Sequence, residues 1–187
     1  GRAGCDARRG KWNGRAFSSN SRVKDLVGLP NGKLRVAGDF TKVSGETHVG
    51  TVLIDPATGQ IDPSWTLQAR TGTNGGRVSV KSIKIINDHI YLGGIFTHFQ
   101  GNGASWTYAR HGARPDINGK PDRSWNPEIN GSVQAVGVSE ANSSFYAGGH
   151  FTKAHGTERA WYAAKFSTEA GAAQDTSFDF QPSTVSA

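Results

Sequence analysis

The chain has no methionine and a single cysteine, Cys5, among 187 residues. One thiol closes no internal bridge, so the disulfide-stapled mini-domain is excluded. Cys5 is either a free thiol or half of a bridge to a segment outside this chain. Charged residues are sparse, at 19%. No apolar run approaches the roughly 18 residues of a membrane-spanning helix, and no signal-peptide pattern is visible. Helical periodicity is missing too: no stretch places apolar residues at i, i+3, i+4 and i+7 between caps. The sequence also lacks H-E-x-x-H, a Gly-x-Ser-x-Gly elbow, a phosphate-cradling loop and a dinucleotide fingerprint, so the common metal, nucleophile and nucleotide chemistries have no foothold. None of the six histidines stands at a zinc-ligand spacing from a His, Cys or carboxylate. Neither a metal nor a cofactor is expected.

What the chain has in abundance is glycine, 25 residues, and a phrase that recurs. It reads GDFTKVSG from Gly38, GIFTHFQG from Gly94 and GHFTKAHG from Gly149, at separations of 56 and 55 residues. Self-similarity at a fixed period signals a repeat architecture. Each copy opens on an apolar alternation (from Val23, Val78 and Val133), turns at Pro30-Asn31-Gly32, Asn87-Asp88 or Ala141-Asn142-Ser143, and climbs into the phrase. Period-two alternation rich in β-branched and aromatic residues predicts a hairpin. A third strand is expected at 51–54, 107–110 and 162–166, then a glycine turn at Gly59, Gly119 and Gly171. Asp62-Pro63-Ser64-Trp65, Asp122-Arg123-Ser124-Trp125 and Asp175-Thr176-Ser177-Phe178 stand as the fourth element. Gly38, Gly94 and Gly149 suit close backbone approach, while Phe40, Phe96 and Phe151 suit the gap between sheets.

The expected fold is therefore all-β: a β-propeller segment of about three four-stranded blades. The boundaries fall at 1–21 for a basic segment with the end strand of a preceding blade, then 22–76, 77–131 and 132–187. The run RVKDLVGLPNGKLRVAGDFTKVSGE followed by VLIDPATGQIDPSW resembles the bacterial delta-sixty type of β-propeller repeat, akin in shape to kelch-like propellers. That resemblance, over about 22–178, implies a secreted or surface-attached bacterial protein whose repeats act as scaffold. It weakens where Asp39 becomes Ile95 and His150, and where Trp65 becomes Phe178. Trp12-Asn13 precedes Val23 as Trp125-Asn126 precedes Val133, and the run from Phe178 to Val185 reads as entry to another blade. A processed product or a piece is the expectation, closed by further blades or by a second chain. The alternative is a β-trefoil, which is complete with three repeats.

The net charge of +6 is uneven: seven of 21 basic residues but one of 15 acidic ones fall before position 25, leaving 14 of each. Such an arm suits an anionic surface or a docking partner; stacking platforms for nucleic acid are not evident. Residues that recur read as scaffold, and Asp62, Asp122 and Asp175 are read as turn-formers, not as the acid pair of a glycosidase. The candidates are residues that differ. Lys42, His98 and Lys153 share one slot after the phrase phenylalanine and would form a cationic, pH-sensitive ring. Trp106 and Trp161, five residues beyond each closing glycine where the first copy has Gly50, with Tyr108 and Tyr162, offer stacking faces for sugar. Arg110, His111 and Arg114 would add donors. The function read from these residues is non-catalytic binding or assembly through loops on one face. A trefoil lectin and a piece of a propeller enzyme are the alternatives.

Overall fold

The computed structural model describes residues 19–72 and 74–180. The basic segment up to Arg15, Cys5, the Trp12–Asn13 pair and the run 182–185 lie outside them. Among the described residues every regular element is a strand. The first sheet unit is β1 (Val23–Gly28), β2 (Leu34–Gly38), a ribbon of β3 (Lys42–Val43) and β4 (Glu46–Thr47), then β5 (Thr51–Asp55) and β6 (Gln60–Ile61). Its main sheet runs β1-β2-β5-β6. A connecting strand, β7 (Gln68–Arg70), leads to the second unit: β8 (Ser79–Ile86), β9 (His89–Ile95), the ribbon strands β10 (His98–Gln100) and β11 (Thr107–Tyr108), and β12 (Gly112–Ala113). The third unit is β13 (Ser132–Ser139), β14 (Ser144–His150), the ribbon of β15 (Lys153–Ala154) and β16 (Glu158–Arg159), and β17 (Ala163–Ser167). Among the described residues all pairings are antiparallel and no sheet closes on itself.

The hairpins turn through left-handed residues, Gly32, Asn87 and Ser143, which glycine and small polar side chains tolerate. The first strand of each unit then carries a bulge. Register slips between Val23 and Asp25, between Val80 and Ser82, and between Val133 and Ala135, which leaves Lys24, Lys81 and Gln134 as the extra residues. The glycines opening the phrase explain themselves here. A Cβ on Gly38, Gly94 or Gly149 would collide with the carbonyl of Arg22, Ser79 or Ser132 on the neighbouring strand.

Apolar burial joins successive units. Ala37 and Leu53 of the first share one core with Val80, Ile83, Leu92 and Phe96 of the second. Tyr91 and Trp125 share another with Val133, Val136, Phe145 and Phe151 of the third. Polar links cross the same seams. Asp25 accepts from Ile83 N at 2.9 Å, and Ser82 Oγ, in the equivalent place, accepts from Val136 N at 3.2 Å. Trp125, fully buried, donates Nε1–H to Ser167 O at 2.9 Å.

Two expectations are corrected. The Asp-x-Ser-aromatic segments are turns, not fourth strands; β6 is the only fourth sheet strand among the described residues, the third unit has a single bridge of Phe166 with Gln174 in its place, and the His89–Asp116 bridge of the second unit continues the β9–β12 register. Each Asp spends its carboxylate on a local turn, which removes that backbone from a ladder. In the second copy the third strand is Gly112–Ala113, because Thr107–Tyr108 is used by the longer ribbon.

Gly94→Ala is expected to cost more than about 2 kcal/mol, since its Cβ meets backbone. Gly137→Ala, whose Cβ would sit 3.8 Å from Tyr146, is expected to be near neutral. Urea-unfolding midpoints of the two variants check this; equal midpoints would refute the packing account.

Candidate functional site

The ribbons project from the ends of the second strands. Lys42, His98 and Lys153 each open the first ribbon strand, paired with Thr47, Tyr108 and Arg159. The loops beneath two of them are clasped by an asparagine: Asn20 Oδ1 accepts from Thr41 N and Lys42 N, and Asn130 Oδ1 from Thr152 N and Lys153 N. Both lysines are exposed and His98 is half-buried. His98 Nδ1 lies 2.7 Å from Thr97 Oγ1, and its ring lies 5.4 Å from that of Tyr108. Burial, and then the Arg70 charge, hold its pKa below the ordinary value. That favours the neutral imidazole and weakens the expected cationic ring.

One slot beside the ribbon differs in all three units. Gly50, His111 and Tyr162 each adopt a left-handed φ, of 83°, 61° and 61°. Each donates its N–H to the phrase phenylalanine's carbonyl, at 3.0, 3.1 and 3.0 Å, and each accepts from the phrase's first glycine. Left-handed backbone is unusual for a bulky side chain, so His111 and Tyr162 are held there by their surroundings. His111 Nδ1 lies 2.6 Å from Ile129 O, so that nitrogen carries the proton. Burial lowers the His111 pKa, the Ile129 contact opposes this, and Arg110 adds to it.

This slot corrects the expected equivalence of Trp106 and Trp161. Trp161 precedes Tyr162 and so matches Arg110 and Val49, whereas Trp106 lies inside the lengthened second ribbon, next to β11. The two indoles share only a cationic neighbour: Arg70 stands 4.3 Å from the Trp106 ring and Arg159 4.5 Å from Trp161. Trp161 and Tyr162 are exposed at the end of the third unit with their rings perpendicular, 6.3 Å apart. Tyr108, also exposed, donates to Glu128 Oε1 at 3.2 Å. Arg110 reaches Asn130 O at 3.5 Å through Nη2. The candidates do not converge on one pocket; most are strung along the ribbon side of three units, and Arg114 lies away from it, bonded to Asp122.

The recurring aspartates are turn-formers. Asp62, Asp122 and Asp175 accept from the backbone N–H two residues on at 2.9, 2.8 and 3.0 Å. Each also meets a cation: Lys33, Arg114 and Lys165. The Lys33 and Ser64 hydrogen bonds bring Asp62 down to about 2, and those from Ser177 and Lys165 bring Asp175 to about 2. For Asp122, burial pushes up, but Ser124 and Arg114 together outweigh it. A carboxyl held so low is a poor proton donor at neutral pH. No group of three His, Cys, Asp or Glu side chains is placed to hold a metal among the described residues.

In comparisons with known proteins, no family model, curated protein or solved structure matches this chain.

Two sets of contacts were not foreseen from the sequence, although Arg114 was named there as a donor beside Tyr108. The bulge lysines come together: Lys81 is lowered by burial and then by Lys24, with Arg77 and Arg22 adding to the effect and Asp39 opposing it. Lys24 lies 3.7 Å from Asp39, which also accepts from Ser79 Oγ. The second set is a pair of arginine latches. Arg35 Nη2 donates to Ile117 O of the next unit, and Arg114 Nη1 donates to the equivalent Thr168 O of the unit after. Arg114 completes its bonding on Asp122 at 3.1 and 2.7 Å. Arg35 lies over Trp65 at 4.6 Å and leaves Nε and Nη1 buried without a partner among the described residues, each costing about 1–3 kcal/mol.

Folded-state carboxyl values near 2 lie below the ordinary aspartate value of about 3.9, so their contribution to stability is present above about pH 4 and lost as pH falls toward 2. Asp62→Asn is expected to lower stability at neutral pH and flatten that acid limb, as read from unfolding free energy against pH. The histidines run the other way. His98 and His111 are expected to titrate below about 6.5 in ¹H–¹³C NMR, with stability falling as pH drops through that value because the unfolded chain protonates first. Midpoints above it would refute the burial argument.

Proposed function

We propose that this chain is a non-catalytic β-propeller scaffold whose three sheet units are blades and whose task is assembly through its two end faces. The observation that carries this reading is a difference in burial at one repeated position. Val80 and Ile83 are 0% and 1% exposed, and Val133 and Val136 are 0% and 6% exposed, each pair seated on the preceding unit. Their counterparts in the first unit, Val23 and Leu26, are 39% and 53% exposed.

The receiving face is open at the other end. Gly93, which takes Val133 and Val136 so closely that an added Cβ would lie 2.6 Å from both, has Gly148 as its counterpart. At Gly148 the nearest such contact is Tyr162 O, at 3.9 Å. Around it Ala135, Tyr146, Ala163 and Phe178 line an open hollow of about 290 Å³. Fully burying a valine or leucine is worth about 1.5–3 kcal/mol, so a matching pair of faces has a driving force. Trp161 and Tyr162 border the same end, which gives their exposure a reason other than sugar stacking. Two copies joined head to tail supply six blades, within the four to eight of closed propellers. A trefoil, complete in itself, would need no open faces. The resemblance to delta-sixty repeats supports a location at a bacterial surface or outside the cell. A second reading, glycan contact through Trp161 with Arg159 beside it, rests on that stacked pair alone.

Light scattering after size exclusion is expected to give about twice 19.9 kDa. Leu26→Glu and Gly148→Gln are each expected to return the chain to a monomer with unchanged circular dichroism. A monomeric wild type at every concentration overturns the assembly proposal.

A further inference from the structure

Between the first and second units, at the opposite end of β2 from the ribbon, lies a crevice of about 410 Å³. Leu29, Leu53 and Ile117 form its apolar wall, while Asn31, Ser64 and Asn118 supply hydrogen-bonding groups. Its charged groups are Lys33, Arg35 and Asp62, two cations against one anion. Arg35 decides its chemistry. The residue is 5% exposed, its Nη2 is engaged by Ile117 O, and Nε and Nη1 are buried without an acceptor among the described residues. The comparison inside the molecule is instructive. At the next junction Arg114 makes the same latch but spends its remaining donors on Asp122. At the first junction Asp62 is taken by Lys33, so Arg35 is left without a carboxylate among the described residues.

We propose that this crevice is a binding site for a small hydroxylated carboxylic acid, its carboxylate taken by Arg35 with Lys33 at the rim and its hydroxyls by Asn31, Ser64 and Asn118. Guanidinium groups favour carboxylates because planar donors match the paired oxygens. The volume falls in the range of roughly 300–1,000 Å³ typical of small-molecule sites and accommodates one monosaccharide-sized acid. The Trp65 ring beneath the guanidinium fixes the plane in which the donors lie. No bond is made or broken; the site binds.

Isothermal titration with D-glucuronate tests this, with D-glucose and inorganic sulfate as comparison probes. Glucuronate is expected to saturate with a Kd of about 1 mM or tighter, glucose to give no saturable heat, and sulfate to bind at least tenfold more weakly. Arg35→Lys keeps the charge but not the planar donors and is expected to weaken glucuronate at least tenfold. Asn118→Asp, an exposed change that adds a negative charge at the rim, is expected to do the same and serves if Arg35→Lys does not fold. Lys84→Gln removes an exposed cation elsewhere and is expected to change nothing. The proposal is overturned by absence of glucuronate saturation, by sulfate or glucose binding as tightly as glucuronate, or by binding that survives Asn118→Asp unchanged.

Discussion

The whole arrangement depends on the seating of two apolar side chains, one on each side of a bulge, against a small residue on the unit before. Val80 and Ile83 share a core with Ala37, and Val133 and Val136 crowd Gly93. The contact needs three things at once. The bulge must turn both side chains toward the same neighbour, the receiving position must have little or no side chain, and the strand pair must stay close. The glycine that opens each phrase meets the last condition by letting the first strand's carbonyl lie where a Cβ would otherwise be. A junction built this way is dry and tightly packed, so small changes in volume are felt strongly.

Everything polar at the seams is arranged around that apolar seat. The acceptor beside the bulge, Asp25 or Ser82, ties down a backbone N–H of the next unit, and Ala135 in the same place has no acceptor to offer. The arginine latches lie further along the same seams. Their difference illustrates how one architecture acquires local chemistry: the latch arginine is paired with the turn aspartate at one junction, while at the other, from a different strand, it leaves that aspartate to a lysine. The left-handed slot shows the same economy. Its backbone hydrogen bonds are identical in three units, so the side chain is free to vary from none to imidazole to phenol, and only the surroundings decide whether it is buried or exposed.

Much of this was legible from residues alone. The phrase phenylalanines, the hairpin turns and the glycine at each close approach follow from period, alternation and the steric demands of a missing Cβ. The aspartates were readable as turn-formers because Asp-x-Ser satisfies its own backbone locally. The equivalence of the tryptophans was not readable. Counting from the closing glycine ignores a ribbon that is longer in one copy, and only the pairing of His98 with Tyr108 shows where the extra residues went. Arg35 gave no signal either, since its isolation depends on which cation reaches Asp62 first in space.

The linear order of residues thus determined the all-β character, the period and the local turns, because these arise from interactions spanning a few positions. Tertiary structure alone decided which equivalent positions are buried and which are open, and which charges find partners. Those outcomes depend on neighbours some fifty residues away in the chain, and a change of a few residues in one loop moves them without altering any local pattern.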